Sequence, residues 1–365
     1  MLRSATPAAL FLSLLSLAAT AADPPPGALG QYGIDPERVT VSGLSSGGYM
    51  AVQLSVAYSS MFSGVGVIAG GPYGCARTSG TVNTNLNRAL GPCMAGTYTW
   101  TQRWWQCWFA GCPGPDRPDE KTSIDLVRQY ANTSAIDPLS SLRRQRVFLL
   151  SGKDDSTLVP AVVDALHRFY EAFVPPTSIR EEDLDKLAHT FPTDTFKKGN
   201  ACSRGDPPFV SDCKYDGAGK VLAHVYGTLK PRNDAAPTGS LRAFDQIPLL
   251  PGGVNTGMAT TGYVYVPKTC AAKGTRCAVH VALHGCRQTA AEIGTTFTEG
   301  AGYNRWADTN GIVVLYPQIG KSKHPANPRD CWDWWGYTGA AWLEKKAPQM
   351  QAITAMVNHM KVTPP

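Results

Sequence analysis

Six short apolar runs, each ended by small or polar residues, limit the folds open to this chain. Arg38-Val39-Thr40-Val41 is β-branched and leads into glycines. Val65 to Ala69, Arg146 to Leu150, Gly262 to Val266 and Val279 to Leu283 repeat the pattern, and Gly311 to Tyr316 reads Gly-Ile-Val-Val-Leu-Tyr. Runs of this length and composition predict buried strands. Helical spacing fills the gaps. Gly47 to Ser59 is small and apolar, and Tyr215 to Tyr226, Thr289 to Asp308 and Glu344 to Lys361 read as helices. Pro160 to Phe173 has Pro at a first helical position and apolar residues at Val162, Val163, Leu166 and Phe169. Strands without polar alternation, separated by helices, predict an α/β chain with a mostly parallel sheet covered on both faces. Residues 73–120, rich in Cys, Trp, Gly and Pro, read as an irregular insertion or lid. Residues 199–214 read as a cysteine-bounded loop. The chain has 365 residues. No repeat or linker divides it, so residues 22–365 read as one domain.

The first residues are of another kind. Arg3 supplies a weak positive start, Ala8 to Ala19 is apolar, and Ala19-Thr20-Ala21 is a small-x-small cleavage pattern. Residues 1–21 therefore predict a secretory signal peptide. An N-terminal membrane anchor is the competing reading, but the apolar run is too short to span a bilayer. The expectation is a secreted protein, extracellular or periplasmic, acting without a membrane.

Ten cysteines suit that destination, because an oxidising compartment makes disulfides the default. Cys202 with Cys213 and Cys270 with Cys277 are plausible local bridges. Cys75, Cys93, Cys107 and Cys112 staple the insertion in an order the sequence leaves open. Cys286 and Cys331 remain as a long-range pair. Zinc is disfavoured, since no C-x-x-C occurs and the histidines lie elsewhere. With 43% hydrophobic and 17% charged residues the chain is not of a disordered type. The net charge of +6 is scattered, with no basic stripe for nucleic acid.

Gly43-Leu44-Ser45-Ser46-Gly47 matches G-x-S-x-G, directly after a β-branched strand and before a run of small residues. A simple Gly/Ser turn writes the same five letters. The strand–turn–helix context instead makes Ser45 a candidate nucleophile, held by a strained turn that only small neighbours allow. A serine hydroxyl needs a base, and the base needs an orienting acid. Chain order in hydrolases with this turn is Ser, acid, His. Leu149-Leu150-Ser151-Gly152-Lys153-Asp154-Asp155 leaves a strand into a polar turn, so Asp155 is the acid and Asp154 the fallback. His189, in Leu187-Ala188-His189-Thr190-Phe191-Pro192, is the base by order and loop position. His224 falls in a helix, His284 in a different motif, and His167, His280, His324 and His359 have no supporting context.

Ester chemistry needs donors for a developing oxyanion, one of them the N–H of the residue after the nucleophile, here Ser46. The second is expected from a His-Gly loop after a neighbouring strand. Leu283-His284-Gly285-Cys286 provides one, with Cys286 N–H as the donor. In the ordinary α/β-hydrolase arrangement that loop precedes the nucleophile, and here it follows it by some 240 positions. Val313 to Tyr316 and Glu344 to Lys361 are displaced in the same way. The order predicts a circularly permuted α/β-hydrolase, broken between the last helix and Gly33-Ile34-Asp35-Pro36-Glu37-Arg38.

Four segments together, His284-Gly285-Cys286-Arg287-Gln288-Thr289, Tyr316-Pro317-Gln318, Cys331-Trp332-Asp333-Trp334-Trp335 and Gly43-Leu44-Ser45-Ser46-Gly47-Gly48, resemble the polyhydroxybutyrate (PHB) depolymerase family over nearly the whole mature chain. The order is similar to its circularly permuted, single-domain secreted members. The resemblance implies a disulfide-stapled serine esterase with Ser45, Asp155 and His189 as triad and Ser46 and Cys286 as oxyanion donors. It implies a Cys286–Cys331 bridge, which would pin the oxyanion loop to the tryptophan segment. It implies hydrolysis of a polyester polymer or of 3-hydroxyalkanoate oligomers through an acyl-enzyme, and the reaction requires no metal or organic cofactor; a monomer is expected. No appended polymer-binding domain is expected.

The nine tryptophans fall mainly in two groups, Trp100, Trp104, Trp105 and Trp108, and Trp332, Trp334 and Trp335. Core packing explains such a group as readily as a crevice for methyl-bearing polyester units or an exposed adsorbing patch. Trp332 or Trp335 is the candidate wall of the first subsite. Two other functions fit the same letters: an acetyl xylan or feruloyl carbohydrate esterase, and a non-catalytic polymer-binding protein on a hydrolase fold.

Overall fold

The computed structural model describes residues 26–94, 118–253, 255–272, 274–322 and 326–361. The signal-peptide reading, Trp100, Trp104, Trp105, Trp108, Cys107, Cys112 and His324 fall outside these residues. The chain begins with β1 (Ile34–Leu44), turns at Ser45 into α1 (Ser46–Ala57) and returns through β2 (Gly64–Ile68). Then come α2 (Val82–Leu90), α3 (Glu120–Asn132), β3 (Arg146–Gly152), α4 (Pro160–Glu171) and β4 (Ile179–Leu184). Three short strands follow, β5 (Phe191–Thr193), β6 (Asn200–Ala201) and β7 (Val210–Asp212), before α5 (Gly217–Tyr226). The last part runs β8 (Ser240–Asp245), β9 (Thr261–Val266), β10 (Cys277–Leu283), α6 (Ala290–Ile293), α7 (Thr296–Gly300), α8 (Tyr303–Asn310), β11 (Ile312–Tyr316) and α9 (Pro348–Lys361).

The main sheet has eight strands in the order β4-β3-β2-β1-β10-β11-β9-β8. Every pairing from β4 to β11 is parallel, and only β9 runs against the rest. The short strands make a second sheet, β5-β7-β6. β1 sits in the middle of the main sheet, with Gly43 in register with Leu283 of β10 and Val67 of β2. The apolar runs pair here because a strand buried on both faces has no polar side to turn outward. All five residues of β11 are fully buried, at about 1.5–3 kcal/mol for each large apolar side chain.

Both faces are covered. Along Gly64-Val65-Gly66-Val67 the glycines face α5: a Cβ on Gly66 would lie 2.6 Å from Val221. The valines face the other way, where Val67 meets Gly48 of α1. Every residue of α1 is buried, since the sheet covers one side and α9 packs on the helix as well. α8 packs on β11 from the α5 side.

Several sequence expectations need correction. Thr289 to Asp308 is three helices rather than one, broken at Gly294 (φ 60°) and Gly302 (φ 96°), whose left-handed backbone ends each turn. The last helix starts at Pro348, not Glu344, because proline favours the first helical position and lacks the N–H an interior residue donates. The segment 73–120 is not irregular throughout: α2 lies inside it, and Glu120 opens α3 behind an Asp119 cap on Lys121 N–H. β4 and β8 were not anticipated. Every cysteine among the described residues is paired: Cys75–Cys93, Cys202–Cys213, Cys270–Cys277 and Cys286–Cys331.

Candidate active site

Ser45 joins β1 to α1 with φ 58° and ψ −121°, a region that costs a non-glycine residue about 1–3 kcal/mol. The surroundings enforce it. Ser45 N–H donates to Ile68 C=O at 3.0 Å, and Ser45 C=O accepts from Tyr49 N–H at 3.0 Å. A Cβ on Gly47 would stand 2.4 Å from the His284 carbonyl oxygen, and one on Gly43 would stand 2.2 Å from Gly47. Only glycine fits either place, which is the physical content of the G-x-S-x-G spacing. The Ser45 hydroxyl does not cap α1. Between Val39 and Ala57, Ser45 alone reaches solvent.

Asp155 and His189 leave the neighbouring parallel strands β3 and β4 at the same edge. Asp155 N–H donates to Gly152 C=O, and its Oδ1 accepts from Thr157 N–H at 2.9 Å and Leu158 N–H at 2.8 Å. Its Oδ2 lies 2.7 Å from His189 Nδ1. The Asp155 side chain is 1% exposed and that of His189 11%. A carboxylate in this position keeps the proton on Nδ1 and turns the Nε2 lone pair outward. Asp154 is exposed and offers His189 nothing. The His189 segment is held from several sides: Asp154 N–H binds Leu187 C=O, Ala188 N–H binds Cys202 C=O, and Phe191 N–H binds Phe209 C=O.

The loop after β10 stands against Ser45, for a Cβ on Gly285 would be 3.5 Å from Ser45 Cβ. Its polar groups are nearly all committed. Gly285 N–H donates to Gln288 Oε1 at 2.7 Å, and Arg287 N–H donates to Arg329 C=O at 2.7 Å. His284 Nδ1 donates to Gly285 C=O at 2.7 Å, while its Nε2 accepts from Ile319 N–H at 3.2 Å. Burial lowers the His284 pKa to about 4, so the ring is neutral and this tautomer fits both bonds. Trp332 Nε1–H donates to His284 C=O at 3.0 Å, and the Cys286–Cys331 bridge ties the loop to the tryptophan segment. Cys286 N–H stands between these anchored groups. Ser46 N–H, the first of α1, has no intrahelical acceptor.

The chain as a whole is similar to known proteins. The chain is 43% identical over 340 residues to the poly(3-hydroxybutyrate) depolymerase of Delftia acidovorans, covering 91% of this chain and 62% of that one. It is 37% identical over 344 residues to the polyhydroxybutyrate depolymerase of Talaromyces funiculosus, covering 91% and 92%. The chain belongs to the PHB depolymerase family. The family model described as Esterase PHB depolymerase matches residues 261–363. The crystal structure of PHB depolymerase from Penicillium funiculosum superposes with a TM-score of 0.78 at 36% identity, over 91% of this chain and 98% of that one. A serine-to-alanine variant of a PHB depolymerase, complexed with an R3HB trimer, superposes equally well.

In this PHB depolymerase relative the second tryptophan group is packed, not displayed as an adsorbing patch. Trp332 is fully buried beneath the loop that follows β10, its ring 5.3 Å from His284. Trp334 stacks on Tyr49 at 4.2 Å, and Trp335 meets Tyr337 at 4.8 Å. Asp333 fixes their backbone by accepting N–H bonds from Gly336, Tyr337 and Thr338. Adjacent indoles with so much apolar area bury themselves unless something holds them out. The remaining described histidines have other partners. His280 bonds Thr40 and Ser42, His224 bonds Ser178 C=O, His359 bonds Leu29 C=O, and His167 meets Glu181. Sequence reasoning missed the work of Gln288 and of the His284 ring, since their contacts are non-local. Among the described residues no cluster of His, Cys, Asp and Glu could hold a metal.

Proposed function

We propose that this protein is a secreted serine esterase that hydrolyses poly(3-hydroxybutyrate) or its oligomers. The observation that carries the reading is the 2.7 Å contact of buried Asp155 with His189 at the sheet edge where Ser45 is held strained and solvent-facing. Ser45 attacks the ester carbonyl and His189 takes its proton through Nε2. Asp155 holds the imidazole tautomer and stabilises the imidazolium. Ser46 N–H and Cys286 N–H receive the oxyanion, an interaction for which one donor is worth about 10²–10³ in kcat. His189 then protonates the leaving alcohol. Water, deprotonated by the same ring, releases the 3-hydroxy acid from Ser45. The named activities of the relatives and the trimer complex support the substrate class. Four disulfides and the N-terminal segment support export.

The fold is a circularly permuted α/β-hydrolase on this reading. Starting the count at β8 gives the spatial order 1-2-4-3-5-6-7-8, in which neighbours in space are neighbours in sequence apart from one local exchange. Release of 3-hydroxybutyrate oligomers from polymer film, compared with release of acids from acylated xylan, tests the substrate class. Soluble products from film alone are the expected result, and acids from xylan alone would contradict it.

A further inference from the structure

The side chain of Gln288 joins two parts of the site that the chain keeps 80 residues apart. It is 1% exposed. Its Oε1 accepts from Gly285 N–H at 2.7 Å, one residue before Cys286. Its Nε2 donates to Phe209 C=O at 2.9 Å and to Pro208 C=O at 3.3 Å. Phe209 C=O also receives Phe191 N–H, two residues beyond His189. Gly205 of the same segment lies under His189, where a Cβ would stand 3.2 Å from His189 N. The Cys202–Cys213 bridge closes that segment.

We propose that Gln288 is a positioning residue that fixes the oxyanion loop against the segment carrying the base. The inference rests on the assignment of Ser45, His189 and Cys286 proposed above. The chemistry of the contact selects the side chain. One end must accept and the other must donate, without charge in a buried place. An ionised glutamate lacks the donors and carries a charge, lysine and arginine lack the acceptor, and asparagine is a methylene too short for the same span. A carboxamide of this length meets all three conditions. Oxyanion donor and base act on the same tetrahedral centre, so a shift between them lowers the rate without weakening substrate contacts elsewhere. Misplacement by about 1 Å costs about 10²-fold.

Two substitutions test this on a soluble 4-nitrophenyl acyl ester. Gln288→Met keeps length and volume and removes both ends of the bridge. The expected result is a fall in kcat of about 10–100-fold with KM little changed. Gln288→Glu keeps the acceptor for Gly285 N–H. As a neutral acid its O–H still donates to Phe209 C=O, and as a carboxylate it cannot. Burial raises a carboxyl pKa, so kcat of this variant should fall as pH rises, a limb absent from the parent. Circular dichroism over the same pH range separates this from unfolding. Arg287, the Arg204–Asp206 pair and Asp212 with its partner Lys197, the charged groups on and against the two segments, are common to both variants, and Gln288→Met controls for their titration. Parental kcat in Gln288→Met, or a parental pH profile in Gln288→Glu, overturns the inference. If Gln288→Met does not fold, the Gln288→Glu limb decides alone. Ser45→Ala is measured alongside. If it is inactive while the Gln288 variants match the parent, only the role of Gln288 is lost. If Ser45→Ala still hydrolyses ester, the proposed function itself fails.

Discussion

Tyr32 N–H donates to Met360 C=O at 3.1 Å, joining the segment ahead of β1 to the last helix. Beside it, His359 Nε2 meets Leu29 C=O at 2.8 Å. The two ends of the described chain therefore lie together, as a rejoined α/β-hydrolase order requires. A variant with Lys361 linked to Gly27 through a short Gly/Ser segment, and opened in the exposed turn at Ala235–Ala236, would begin at β8. It should fold with parental near-ultraviolet circular dichroism and keep Ser45-dependent esterase activity. Failure to fold would count against the permuted order.

The acid is decided by which aspartate reaches the ring. Asp155→Asn can keep Oδ1 for Thr157 and Leu158 N–H, but its amide then points N–H at His189 Nδ1 and forces the other tautomer. The expected loss in kcat is about 10³–10⁴-fold with the fold retained. Asp154→Asn should be near parental. Steady-state kinetics on both variants checks this, and a reversed pattern would move the acid to Asp154.

Acid stability depends on two buried rings. Burial lowers the His280 pKa to about 3 and the His284 pKa to about 4, well under the ordinary imidazole value of about 6.5. The unfolded chain therefore takes up these protons first. Stability is full above pH 6.5 and falls as pH drops toward 4, by about 1.4 kcal/mol per unit for each ring at most. Burial, chiefly, raises Asp333 and Glu181, which opposes this trend. Urea midpoints between pH 7 and 4.5 should decline, and less steeply in His280→Gln. Equal slopes would show that the ring does not titrate on unfolding.

The two disulfides flanking β10 should behave differently. Cys286–Cys331 spans 45 residues, which chain entropy values at about 4 kcal/mol, and it holds the loop proposed to supply an oxyanion donor. Cys270–Cys277 lies at the opposite end of the strand. Replacing either pair by serine should lower Tm. Only the Cys286/Cys331 change should also lower kcat in protein that remains folded.

The interior of the fold is legible because β1 from Val39 onward, β10 and β11 are buried on both faces and are therefore mostly apolar, the buried exceptions Thr40, Ser42 and His280 bonding one another. β4 (Ile-Arg-Glu-Glu-Asp-Leu) and β8 (Ser-Leu-Arg-Ala-Phe-Asp) are edge strands. Charge protects an edge from pairing further, and it also erases the apolar run by which a strand is recognised. At the site, Gly43 and Gly47 wrote the nucleophile turn into five consecutive letters. A base leaves no such local mark, so only chain order and a loop position point to His189. Choosing between Asp154 and Asp155 needed their burial. The bridge made by Gln288 leaves no local trace, because all three of its partners are main-chain groups of other residues.

The most direct measurement is covalent trapping. The folded protein is treated with a fluorophosphonate, digested and mapped by mass spectrometry, with His189→Ala and Asp155→Asn treated in parallel. The expected result is one adduct per chain, on Ser45, formed far more slowly in both variants. Labelling of another serine, or unchanged labelling of Ser45 once His189 is gone, would contradict a triad built on these three side chains.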